Sequence, residues 1–114
     1  NAIAVRQQSA RAYEAAVNLP EGSDAQRAVD EILLGVEPQL TRKEGLPRRP
    51  WFVHQIYAPG FYTGYGVKTL PGIREAIEER NWKEAGEQVP IVASSIERFA
   101  GEINRAAELL RKQR

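Results

Sequence analysis

The sequence predicts an all-α fold: a four-helix-bundle-like domain with a long Gly/Pro/aromatic-rich loop between the second and third helices. Three observations predict it. Apolar residues recur at helical spacing on both sides of the middle third of the chain. Gly and Pro cut those stretches into four helical lengths. Residues 45–72 hold 9 of the 16 Gly and Pro residues and 6 of the 9 aromatics, a composition foreign to an amphipathic helix.

The first helical stretch runs from about Ile3 to Leu19. Val5, Ala12, Ala16 and Leu19, with Tyr13 and Val17 beside them, follow helical spacing, and Pro20-Glu21-Gly22 ends the stretch with turn residues. Ser23 opens the second helix. With Gln26 three residues on it makes a capping box, in which each side chain satisfies a backbone N–H near the helix start. Ala25, Val29, Ile32, Leu33, Val36 and Leu40 fall on one face. Pro38 interrupts that face, because it lacks a donor and crowds the preceding turn. Either a kink near Gly35–Glu37 or a new short helix at Pro38 satisfies it.

Pro71 starts the third helix, where a missing N–H leaves nothing unpaired. Ile73, Ala76 and Ile77 are expected to face inward. Gly86 and Pro90 disturb the stretch that follows, and from Val89 the last helix shows the best pattern in the chain. Val89, Val92, Ile96, Phe99, Ile103, Ala106 and Leu110 form its expected buried seam. Arg98 with Glu102 and Glu108 with Lys112 are spaced to pair on the exposed face.

Composition narrows the function. Sixteen Lys and Arg against fifteen Asp and Glu give a net charge of +1 over 114 residues. That balance argues against a nucleic-acid binder and against a polybasic membrane anchor. The longest strongly apolar run, Ile32 to Val36, is far too short for a membrane span. With no Cys and His54 as the single His, neither a Cys or His zinc site nor a complete catalytic triad can be assembled, so no catalytic or metal-binding residue is assigned within the chain. With no Met and an Asn1-Ala2 start, residues 1–2 look like the scar of a cleaved expression tag, and residues 3–114 are expected to be one domain of a longer protein.

Gly64-Tyr65-Gly66-Val67-Lys68-Thr69 has the look of a phosphate loop, but Val67 and Tyr62 stand where that motif requires glycine. A tight glycine turn before a helix is the better reading. His54 reads as a hydrogen-bonded structural residue. Glu75, Glu78 and Glu79, mixed with Arg74 and Arg80, read as a solvated helix face. Arg42, Lys43, Arg48 and Arg49 read as a solvated loop or an interface. The loop aromatics suit a core plug and a binding surface equally, since Tyr offers an apolar body and a polar tip.

The central residues carry a resemblance. Glu44-Gly45-Leu46-Pro47-Arg48-Arg49-Pro50-Trp51-Phe52, then His54 and Ile56-Tyr57-Ala58-Pro59, then Tyr62-Thr63-Gly64-Tyr65-Gly66-Val67-Lys68-Thr69-Leu70-Pro71-Gly72-Ile73-Arg74-Glu75-Ala76-Ile77 resemble the C-terminal helical domain of the glutamate carboxypeptidase and transferrin receptor family. The resemblance covers the chain from about Ser23 onward and implies a transferrin receptor-like dimerisation domain. It implies a homodimer, and a loop lent to the substrate pocket of a zinc-dependent peptidase domain of the same parent. That peptidase domain, not this segment, would hold the zinc, so this segment would need no cofactor and hydrolyse nothing. The family also implies an extracytoplasmic or membrane-anchored parent. In the family's glutamate carboxypeptidases a Lys-Tyr pair in this loop binds the carboxylates of a C-terminal glutamate. The matching positions are Gly64 and Tyr65, with Tyr62 and Lys68 nearby as further loop contacts. Gly in place of Lys removes the cation that a desolvated carboxylate pairs with. The alternative implied by the same family is a non-catalytic receptor or adaptor module.

Overall fold

The computed structural model of the chain describes residues 2–17 and 20–112; the side chains at 12, 13 and 15–17 fall outside that description, as does Leu19. The expected inward positions Ala12, Tyr13, Ala16, Val17 and Leu19 therefore lie outside the described side chains. Among the described residues there are four α-helices: α1 (Ala2–Val17), α2 (Asp24–Leu34), α3 (Pro71–Glu78) and α4 (Trp82–Arg111). A 3₁₀ turn spans Glu37–Leu40, and two short strands, β1 (Tyr57–Pro59) and β2 (Val67–Thr69), pair antiparallel. The long loop thus contains a hairpin, which the all-helical expectation lacked. The chain divides into two compact units, Asn1–Val36 with Ala100–Arg114, and Glu37–Phe99.

The first unit is built from α1, α2 and the end of α4. Ser23 caps α2: its hydroxyl accepts from the Gln26 N–H at 3.2 Å. The Gln26 side chain reaches back one residue further than a standard capping box, accepting from the N–H of Gly22 at 2.5 Å, because the Ser23 N–H already donates to the Pro20 carbonyl. Val29, Ile32 and Val36 are buried here, as are Ala106 and Leu110 on α4. Burying each large aliphatic side chain contributes about 1.5–3 kcal/mol. Leu33, expected on the same face, is about half exposed. α2 ends at Gly35, and a separate 3₁₀ turn begins at Glu37 with Pro38 second, so of the two expectations for Pro38 the new short helix is the one formed.

In the second unit the chain from 40 to 55 doubles back on itself. Arg42 donates to the Val53 carbonyl, Leu46 to that of Phe52, and Gln55 to that of Leu40. The turn at its far end needs Gly45, whose φ is +72° and whose missing Cβ would lie 2.4 Å from the Pro50 carbonyl oxygen. α3 begins at Pro71, as expected, and Asn81 caps the start of α4 through the Glu84 N–H at 3.1 Å.

The buried line of α4 differs from the expected seam. Val92 is buried, and so are Ala85, Gln88 and Ser95, whereas Val89, Ile96 and Ile103 stand 40–51% exposed. The Gln88 side chain occupies the space that a Cβ at Gly72 of α3 would need, its oxygen 2.6 Å from that position. Ser95 is fully buried and satisfies its hydroxyl within the helix at the Ile91 carbonyl, 3.2 Å away. The helix-face pairs shift too. Glu102 pairs with Arg105 and Glu108 with Arg111, while Arg98 turns to backbone carbonyls. Ile77, expected to face inward, is 47% exposed, and Glu75 takes the buried place beside Ala76.

Candidate functional site: a clamped aromatic turn

The hairpin positions the site. β1 and β2 pair Tyr57 with Thr69, Ala58 with Lys68 and Pro59 with Val67. Beyond the last pair, Gly60 donates to the Gly66 carbonyl at 3.3 Å and closes the turn. Gly60 is buried, and a Cβ there would meet the Thr63 hydroxyl at 2.4 Å, so only glycine lets Thr63 fold back over the root of the turn. The register follows from this: strands of three residues carry few ladder bonds, and the root needs another support.

Arg49 and Glu75 supply it. Both are buried, at 5% and 6% exposure, and form a direct ion pair. The guanidinium also donates to the Pro59 carbonyl at 2.6 Å, on one side of the turn. The other carboxylate oxygen of Glu75 accepts from the Phe61 N–H at 3.0 Å, on the other side. The two charges therefore hold both ends of the turn in one network. The Phe61 ring lies under two guanidinium groups, Arg48 at 5.8 Å and Arg49 at 5.6 Å, a favourable placement for a cation over an aromatic face. Arg48 is fixed in turn by Glu84 at 2.8 Å and Glu79 at 3.6 Å, and the Glu84 hydrogen bond is the main reason its pKa rises above the ordinary value.

These contacts correct two expectations. Glu75 is not part of a solvated face, and Arg49 is not on a solvated loop: each is buried against the other, because an unpaired buried charge would be far costlier than the pair. Neither stood out in the sequence. The available signal was that Glu75 lies on the small-residue face of α3, beside Ala76 and three residues from Gly72.

The tip carries three of the four residues that the resemblance named for the pocket, Tyr62, Gly64 and Tyr65. Tyr65 is fully exposed and Tyr62 is 79% exposed, with the Phe61 and Tyr62 rings packed edge to face at 4.8 Å. Gly64 sits between them with open space where a Cβ would be, and its φ is not in the left-handed region. Lys68 lies apart on β2, its ammonium group paired with Glu78. Lys68 first, then Arg74, holds the Glu78 carboxyl below the usual carboxylate range. His54 is structural, as expected. Its Nδ1 accepts from the N–H groups of Ile56 and Tyr57 at 3.2 and 3.4 Å, and its ring stacks on Tyr57 at 4.0 Å. Among the described residues no three His, Cys, Asp or Glu side chains gather as metal ligands, and no helix is long and apolar enough to cross a membrane.

A family model, that of the transferrin receptor-like dimerisation domain, matches the chain over residues 2–104. The chain belongs to that family. Curated relatives of this dimerisation domain include the probable glutamate carboxypeptidase LAMP1 of Arabidopsis thaliana, 34% identical over 77 residues, which is 61% of this chain and 11% of the relative. A probable glutamate carboxypeptidase of Arthroderma benhamiae is 39% identical over 57 residues, 50% of this chain and 8% of the relative. The domain thus spans about a tenth of the length of the curated relatives it matches.

Proposed function

We propose that this domain holds together a homodimer of a glutamate carboxypeptidase-like zinc peptidase. The observation that supports dimerisation is the face of α4 left uncovered. Trp82, Val89 and Ile96 recur every seven residues, all substantially exposed, with the small residues Gly86 and Ala93 between them. A seven-residue repeat keeps side chains on one helix face, the arrangement by which helices pair. The second copy as occupant follows from the family to which the domain belongs. The curated names of the relatives favour a peptidase parent over a receptor or adaptor. Zinc, on this reading, belongs to the peptidase domain. Sedimentation equilibrium of the 114-residue chain and of the parent tests the dimer. Wild type should sediment as a dimer and Ile96→Glu as a folded monomer, whereas a monomeric wild-type parent would refute the proposal.

A second role rests on a separate observation, the exposed Tyr62 and Tyr65 on a clamped turn. The turn reaches into the substrate pocket of the peptidase domain, and Tyr65 meets the substrate there. A rigid root carrying an exposed, amphipathic tip suits ligand contact, because little ordering is left to be done on binding. The open space at Gly64 admits the missing cation. Gly64→Lys in the parent should improve kcat/KM for substrates ending in glutamate relative to those with neutral C-terminal side chains. No change in that ratio would count against the placement of the turn.

A further inference from the structure

Within residues 37–99, the turn at 42–45 and the stretch of α4 from Pro90 to Arg98 flank an open concavity of about 490 Å³. Its volume lies in the range of small-molecule sites. Pro90 and Ile91 give it an apolar wall, and the remainder is polar. Three cations line it, Arg42, Lys43 and Arg98, against one carboxylate, Glu44. That imbalance is local, since the whole chain carries only +1.

Arg98 is the key group. Its guanidinium is held by four acceptors: the hydroxyls of Ser94 and Ser95 at 3.3 and 3.2 Å, and the carbonyls of Gln39 and Thr41 at 3.3 and 3.5 Å. All four are neutral. The helix-face partner the spacing offered, Glu102, pairs with Arg105 instead. Arg98 is therefore oriented by its neighbours without being neutralised by them. Glu44, the one acid on the wall, is engaged by Arg42 at 3.2 Å. Lys43 is exposed and has no carboxylate partner among the described residues. The Ser94 hydroxyl accepts from Arg98, which leaves its own hydrogen to donate.

A fixed guanidinium, a free ammonium and a hydroxyl donor around one concavity make an oxyanion receptor. Charge-assisted bonds to carboxylate or phosphate oxygens are the strong class, and guanidinium geometry favours them. We infer that this pocket binds a small molecule through a carboxylate or phosphate group held between Arg98 and Lys43, with its apolar part against Pro90 and Ile91. This inference stands on the pocket alone and does not depend on the role of the turn at 60–66.

An amide NMR titration of the 114-residue chain tests it, with inorganic phosphate in one arm and glutarate in the other, at ionic strength held constant with chloride. The expected result is saturable shifts at Thr41–Glu44 and Ile91–Arg98. Saturation by phosphate alone assigns a phosphorylated ligand, by glutarate alone a carboxylated one, and by both the shared oxyanion chemistry. Lys43→Ala and Arg98→Ala should each weaken binding about tenfold or more. Arg98→Ala also removes the tie to the Gln39 and Thr41 carbonyls, so Lys43→Ala, which loses no internal contact, carries the test if that variant misfolds. Shifts that fail to saturate, that spread equally over Arg27, Lys83 and Arg105, or that survive Lys43→Ala unweakened would overturn the inference.

Discussion

The root and the tip of the turn at 60–66 lie a few residues apart and obey opposite rules. The root buries two opposite charges, Arg49 and Glu75, and the tip exposes two large aromatics, Tyr62 and Tyr65. An ordinary surface loop would do the reverse. The difference separates two tasks. Buried charges are directional, so they fix where the turn points through the Pro59 carbonyl and the Phe61 N–H. Of the exposed aromatics, Tyr62 has one edge-to-face contact, with Phe61, and Tyr65 stands fully exposed, so the role proposed for them lies in what they meet outside the turn.

The comparison can be broken most severely at the root. Glu75→Ala strands the Arg49 charge in a buried site and should cost about 3–5 kcal/mol of stability, read from the denaturant midpoint. A cost near that of a surface substitution would mean that the ion pair does not hold the root. Gly45→Ala should come next. It forces a side chain onto a backbone at φ +72° and into the Pro50 carbonyl, at a cost of about 1–3 kcal/mol by the same measurement. At the tip, Gly64→Ala should change stability by no more than about 0.5 kcal/mol, because nothing lies within 4 Å of the new carbon. A large loss there would show the tip to be packed rather than presented.

The smallest effect is on pH. The folded-state pKa of Glu78 is lowered, first by its hydrogen bond to Lys68, so the tether to β2 is complete at neutral pH and is lost as pH falls through that lowered value. Carboxyl NMR should place the Glu78 titration below the usual carboxylate range, and Lys68→Ala should move it upward. An unshifted titration in both proteins would remove the tether from the account.

Much of the helical frame was legible. Pro71 and Ser23 mark helix starts by backbone chemistry that needs no tertiary partner. Pro38 could be placed only as a break, because kink and new turn satisfy it equally until the chain around it is packed. The hairpin was hidden by length: three-residue strands containing Pro59 give no alternating pattern. The Arg49–Glu75 pair was hidden by distance, since its members lie 26 residues apart and only the fold brings them together. The seam of α4 was misplaced for a different reason. Counting large apolar residues favours Val89 and Ile96, whereas the space left open at Gly72 takes the Gln88 side chain. Those displaced residues now form the uncovered face assigned to the dimer. Tyr65 was named by the resemblance alone; the fold leaves it fully exposed, which is compatible with the proposed substrate role.

Steady-state kinetics of the peptidase proposed as the parent, carrying Tyr65→Phe, tests the proposed substrate role of the tip most directly. Loss of one exposed hydroxyl leaves the clamp untouched, so folding and dimerisation should not change. The account predicts a raised KM for peptides with a free C-terminal carboxylate. An unchanged KM and kcat in a normally folded dimer would contradict it.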